Sequence, residues 1–221
     1  MAIGYLAADT ALKDKPERQN WPTICLLALA VGAIGSMSFS QWVGVGKVLH
    51  HPAFTFLGGT IPAALMLVFA ARMSRLNVAT ILDAGAIGLS AGHALGRLGC
   101  FIGGCCYGRM ISWGSFGEYR FPTPLLEAAG EFVIFLFLKK TARRGNLLAG
   151  QIAAEWMMLY GGLRFLLEFT RGDIRGNLPL FASELTPSQL LSVVLVSTGL
   201  LVFYRMYYCD KTILTFNKHG M

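Results

Sequence analysis

The chain has 221 residues, 54% of them hydrophobic and only 14% charged, with a formal net charge of +7. Soluble domains carry about 25% charged residues, so this composition excludes an ordinary water-soluble fold and points to an integral membrane protein. The positive balance does not indicate nucleic acid. The Lys and Arg residues fall in small groups between apolar runs, as in the loops that flank membrane helices.

A helical span needs about 20 mostly apolar residues, and six runs qualify as expected spans: Trp21–Phe39, Phe54–Ala71, Val78–Gly99, Pro124–Leu138, Leu147–Phe169 and Thr186–Tyr204. The runs are continuous rather than alternating, which favours helices over the strands of a membrane barrel. The expected fold is all-α, a polytopic membrane helix bundle of about six spans that forms one domain over residues 21–207. Residues 1–20 are expected to be a cytoplasmic N-terminal segment, retained rather than cleaved, and residues 208–221 a loosely held C-terminal tail. With the N-terminus inside, twelve Lys and Arg residues fall on the inner side. Five, Lys47, Arg109, Arg120, Arg171 and Arg175, fall on the outer side. This bias predicts both termini inside.

That topology has a chemical consequence. The third and fifth spans run outward and the fourth inward, which brings Arg97, Arg164, Glu168, Glu127 and Glu131 to one depth near the outer leaflet. His93 and Arg97, Glu127 and Glu131, and Arg164 and Glu168 are each four residues apart and share a helix face. An ionisable side chain inside an apolar segment costs about 2.5–3.5 kcal/mol on insertion scales, so each needs a partner or a task. A single pair reads as easily as a structural ion pair; the whole set at one depth favours one functional cavity. Asp83 and Glu155 read as packing or helix-end residues, and the small-residue run from Ala84 to Gly92 as a close helix contact.

Arginine offers a permanently charged planar fork that fits phosphate or carboxylate. In a bilayer the abundant phosphate is the lipid headgroup, so a phospholipid is the expected ligand of Arg97 and Arg164. Gly96, Gly99, Gly103, Gly104 and Gly108 let backbone approach such a ligand, or make a tight turn at the end of the third helix. His93 suits proton transfer near neutrality and equally suits a structural hydrogen bond. Cys100, Cys105 and Cys106 allow a soft metal, a disulfide from Cys100 to one of the other two, a nucleophilic thiol, or three inert small residues. Cys25 and Cys209 read as inert thiols.

Four stretches then follow in order: Gly96-Arg97-Leu98-Gly99-Cys100-Phe101, closed by Gly108-Arg109; Phe121-Pro122-Thr123-Pro124-Leu125-Leu126-Glu127; Gly161-Gly162-Leu163-Arg164-Phe165-Leu166-Leu167-Glu168-Phe169-Thr170-Arg171; and Leu185-Thr186-Pro187-Ser188-Gln189-Leu190-Leu191-Ser192. Together they resemble the signatures of the bacterial prolipoprotein diacylglyceryl transferases, from the first span to the last. The resemblance implies an inner-membrane enzyme whose site faces the extracytoplasmic side. It implies phosphatidylglycerol as donor, the lipobox cysteine of a lipoprotein precursor as acceptor, and glycerol phosphate as leaving group. It gives Arg97 and Arg164 the phosphate, and Glu127 and Glu168 the task of orienting those arginines or taking up the thiol proton. It also implies substrate contacts at Gly96, Gly99, Cys100, Gly108, Arg171 and Gln189, with no cofactor and no nucleic acid.

The chain departs from the family pattern at several places. Leu57, in Thr55-Phe56-Leu57-Gly58-Gly59, stands where the family has a histidine, so either His93, displaced by a helix, performs that role or the reaction differs. Cys100 and Gly103 replace asparagines, Cys105 replaces a glutamate, and Leu126 replaces a tyrosine. The match is shorter by about one N-terminal helix and a periplasmic head region. A rival class therefore stays open: a membrane protein that uses the three thiols for redox, metal or sulfur handling, or that transports a small anion.

Overall fold

In the computed structural model, residues 2–13, 15–42, 56–112, 118–144, 147–172 and 186–219 are described. Lys47, Phe54, Thr55, Arg175 and Leu185, used above, lie outside them, as do the side chains of Leu57 and Cys209. The described residues form a helix bundle, and each of the six expected spans corresponds to a helix. The helices are α1 (Ala2–Ala11), α2 (Trp21–Trp42), α3 (Phe56–Met73), α4 (Val78–Ile102), α5 (Thr123–Ala142), α6 (Gln151–Glu168) and α7 (Pro187–His219), with a short 3-10 turn at Pro16–Gln19.

Three of these, over Trp21–Phe39, Val78–Ile102 and Ser188–Tyr208, are long and apolar enough to cross a membrane by length and composition alone. Helices α5 and α6 fall short of that test. Glu127, Glu131, Arg164 and Glu168 lower their mean hydropathy, and all four are buried inside the bundle. Large apolar side chains such as Leu26, Ile34, Leu65, Phe69, Phe132, Val133, Leu166 and Leu201 point outward. In water that surface would be unstable; in lipid it is the ordinary exterior of a bundle.

Helix α1 occupies the segment expected as a cytoplasmic lead-in. It packs on α4, and its Ala8 is fully buried. A Cβ on Gly4 would come within 2.5 Å of the Gly88 carbonyl oxygen, and one on Gly88 within 2.9 Å of the Gly4 carbonyl oxygen. The two backbones touch because neither residue has a side chain, the close contact expected of the small-residue run. The flank of α1 is held by Arg18, which donates to both carboxylate oxygens of Asp9 at 3.0 and 2.9 Å. Helix α7 continues to His219, through the stretch expected as a tail.

Two apolar clusters fix the frame. One joins Ile87, Ile134, Leu138, Ile152, Trp156 and Tyr160 between α4, α5 and α6. The other joins Leu12, Trp21, Ile24, Ala71, Ile81 and Ala84. Helix ends are satisfied by side chains. The Asn77 side chain accepts from the amides of Ala79 and Thr80 and starts α4. Asp83, from the flank of α4, accepts from the amides of Gly150 and Ala153 at 2.8 and 2.9 Å and so caps α6 from a neighbouring helix.

Strands were not expected, yet Met110–Ser112 pairs antiparallel with Glu118–Arg120. The hairpin lies outside the apolar runs, in the linker where an outer loop was anticipated. Its base is tied to the end of α6 by a bridge between Gly108 and Arg171.

Candidate active site

The charged residues of α4, α5 and α6 meet in one connected cluster. Glu127, fully buried on α5, is its centre. Its Oε1 lies 3.1 Å from Arg97 Nη2 and 4.0 Å from Arg164 Nε, and its Oε2 lies 3.6 Å from Arg171 Nη1. Arg164 also pairs with Glu168 at 2.7 Å and donates to Ser188 Oγ at 3.0 Å. All three guanidiniums are more than nine-tenths buried.

Three guanidiniums, Arg97, Arg164 and Arg171, face three carboxylates: Glu127 and Glu168 directly, and Glu131 through His93. Arg164 Nη1 is buried with no hydrogen-bond partner among the described residues. A buried donor left unmatched costs about 1–3 kcal/mol or more, and a bound anion is the group that would satisfy it.

His93 is committed on both sides of its ring. Its Nδ1 lies 2.7 Å from Glu131 Oε1, and its Nε2 accepts from Arg97 Nε at 3.1 Å. With Nε2 accepting, the ring proton sits on Nδ1 and is donated to Glu131. Ser90 Oγ donates to the same carboxylate at 2.9 Å. The edge of the imidazole meets Tyr160 at 5.5 Å between ring centres, and Tyr160 stacks on Trp156. This geometry makes His93 the support that aims Arg97. A general base needs a free acceptor nitrogen, and here that nitrogen is taken.

Other expected residues are placed as follows. Gln189 Oε1 accepts from the Thr186 amide at 2.9 Å, while Thr186 Oγ1 accepts from the Gln189 amide at 3.3 Å. This reciprocal pair is a capping box that opens α7. Thr186 Oγ1 also donates to Glu168, so the cap of α7 and the arginine cluster are joined. Gly96 and Gly99 are exposed, with open space where a Cβ would stand. Gly108 is different. A Cβ there would lie 2.5 Å from Thr123 Oγ1 and 2.6 Å from the Phe121 carbonyl oxygen, so only glycine lets the hairpin base reach α5. A cleft of about 360 Å³ opens beside this base, lined by Arg109, Met110, Ile111, Ser112, Phe121 and Thr170. A larger, mostly apolar groove of about 500 Å³ is lined by Leu200, Leu201, Phe203, Tyr204 and Tyr207 of α7.

The three thiols sit at the edge of the cluster. Cys100, Cys105 and Cys106 are free, and their Sγ atoms all lie within 4.8 Å of one another. The turn after α4 produces this. The Cys105 amide donates to the Cys100 carbonyl at 3.0 Å, while Gly104 (φ 67°) and Cys106 (φ 59°) both take the left-handed conformation and fold the chain back over the helix end. The Cys106 thiol is held well below the usual thiol range, first by a hydrogen bond from Cys100 and then by the Arg97 and Arg171 guanidiniums, which together outweigh burial. Burial and the Cys106 charge push Cys105 the other way.

Ser90, Tyr160, Ser188 and Thr186 carry site or capping roles that residue types alone did not reveal, whereas Asp83 takes the helix-end role expected of it. For Tyr160 there was a signal: it is four residues before Arg164, on the same helix face.

The fold and site define a class, a polytopic helical membrane protein with a buried cluster of arginines and carboxylates where three of its helices meet. Comparison with known sequences makes this particular. The chain belongs to the prolipoprotein diacylglyceryl transferase family, whose model matches residues 3–205. Relatives include the phosphatidylglycerol--prolipoprotein diacylglyceryl transferases of Geobacter sulfurreducens, 32% identical over 79% of this chain and 74% of the relative, and of Finegoldia magna, 32% identical over 90% and 84%. The enzyme of the same name from Clostridium tetani is 25% identical over 92% of this chain and 89% of its own length.

Proposed function

We propose that this chain transfers a diacylglyceryl group from phosphatidylglycerol to the thiol of a lipoprotein precursor, at the extracytoplasmic face of a bacterial inner membrane. The observation that carries the reading is the buried cluster of three guanidiniums, Arg97, Arg164 and Arg171, gathered around Glu127, with Arg164 Nη1 unmatched. The donor and acceptor classes are those in the names of the relatives.

In the reaction the acceptor sulfur attacks the glyceryl carbon that carries the phosphate. A C–S bond forms, the C–O bond breaks with its electron pair going to oxygen, and glycerol phosphate departs. The phosphate begins as a diester with one negative charge and leaves as a monoester with up to two. Fixed guanidiniums in a dry site therefore gain interaction as the transition state develops, which is where electrostatic catalysis is effective. Glu127 and Glu168 hold the arginines in place, and His93 with Glu131 aims Arg97.

The test uses purified chain, labelled phosphatidylglycerol and a lipobox peptide. Lipidated peptide and glycerol phosphate should both appear. Arg97→Lys should lower turnover by at least about 100-fold, because a point charge cannot replace the bidentate fork and one lost transition-state contact is worth about that much. Absence of both products, or full activity in Arg97→Lys, would refute the proposal.

A further inference from the structure

We infer that Cys100, Cys105 and Cys106 form a zinc site whose fourth position takes the acceptor thiol as thiolate, next to the arginines that hold the phospholipid. This deepens the proposed function and rests on it for the identity of the acceptor.

The geometry comes first. Tetrahedral zinc–thiolate sites have Zn–S bonds of about 2.3 Å, which places their sulfurs about 3.8 Å apart. The three Sγ atoms here lie within 4.8 Å of one another, so side-chain shifts of about 1 Å close the set. A disulfide would pair two thiols and strand the third; all three are free. The turn that gathers them is strained for that purpose. Cys106 is one of two non-glycine residues with positive φ among the described residues, and such a conformation costs about 1–2 kcal/mol in an L residue. Inert small residues would not need it, since a glycine there would remove the cost.

Three protein ligands with one open position are the pattern of catalytic rather than structural zinc, and an added thiol that coordinates is deprotonated outright. That is the chemistry the site otherwise lacks. His93 has both ring nitrogens engaged, by Glu131 and by Arg97. Thiolate on zinc makes the nucleophile, and the proton leaves to solvent as the thiol binds. S-alkylation changes no oxidation state, which suits a redox-inert ion. With four sulfurs the complex carries a charge of about −2, and the Arg97 and Arg171 guanidiniums beside Cys106 offset part of it. The same two arginines belong to the phosphate cluster, so nucleophile and leaving group share one pocket. The sulfur on zinc then forms the C–S bond as the C–O bond to phosphate breaks, and atoms and charge balance with release of one proton.

The experiment uses the full chain, purified in detergent with its thiols reduced and dialysed against zinc. About one zinc per chain is expected, lost in Cys100→Ser, Cys105→Ser and Cys106→Ser and kept in Cys25→Ser. Cobalt in place of zinc should give thiolate charge-transfer bands that shift when a lipobox peptide is added, a readout independent of turnover and of whether any variant folds. Removing the metal should lower transfer at least about 100-fold, the usual worth of activating a nucleophile, and zinc should restore it. No zinc binding, an unchanged zinc content in Cys106→Ser, or equal transfer by the metal-free reduced chain overturns the inference, and the last leaves the transferase reading intact. A peptide-sensitive cobalt spectrum without consumption of phospholipid supports the thiol site and refutes the transferase reading instead.

Discussion

Glu127 is the residue on which the site's electrostatics turn. It lies within 4.0 Å of guanidinium nitrogens from Arg97, Arg164 and Arg171 and is itself fully buried. Removing one member of a buried ion cluster strands the others, at a cost of about 3–5 kcal/mol. Glu127→Gln should therefore lower thermal stability in detergent by that order, and part of the loss should return with bound phosphatidylglycerol, whose phosphate supplies the missing charge. Cys106 gives a second test, in the metal-free reduced chain. A thiol reacts with iodoacetamide as the thiolate. With Cys106 held down to about 5, its alkylation should run at full rate at neutral pH and fall as the pH drops through that value. Cys105, shifted upward, should gain rate only towards alkaline pH. Mass spectrometry of the two sites distinguishes them, and equal pH profiles would contradict the assignment.

Helices α4, α5 and α6 each contribute a four-residue-spaced pair, and their packing makes one cluster out of three. The position of α4 depends on α1 at its back, where Gly4 and Gly88 bring the backbones together. Gly88→Leu forces the two helices apart. Overpacking of this kind costs about 1–3 kcal/mol, and because it shifts α4 against α5 it should also reduce transfer. A measured stability equal to the parent would show that α1 does not brace the site. The caps point the same way: Asp83 fixes the start of α6 from α4, and Thr186 joins the start of α7 to Glu168. These two side chains satisfy a helix end and also tie two helices together.

The molecule as a whole presents apolar side chains outward and its charges inward, the reverse of a soluble protein. The twelve-to-five distribution of Lys and Arg predicts its orientation, with the hairpin and its cleft outside and the termini inside. Alkaline phosphatase fused within residues 113–117 should be active and fused after Met221 inactive. The opposite pattern would invert the orientation and remove the site from the side where a lipoprotein precursor is exported.

Hydropathy and the positions of a few charged residues were enough to read the class, the six apolar helices and the four-residue pairs, because membrane insertion acts on local sequence through one strong term, the cost of polar groups in lipid. Arg97, Arg164, Glu127 and Glu168 were legible for the same reason: a charge in an apolar run has no neutral explanation. Helix α1 was missed because Ala2–Ala11 is too short to span and its worth lies in contact with α4. The hairpin was missed because three-residue strands carry no periodic signal. The role of His93 was open in the residues, since a ring with two nitrogens suits a base or a brace. Glu131 and Arg97 engage its two nitrogens, and the proposed function uses it as a brace. Spacing in the chain likewise left the three cysteines with several readings. Two left-handed residues after α4 bring their sulfurs together, and such a turn is a property of backbone dihedrals and neighbours that composition and periodicity do not encode.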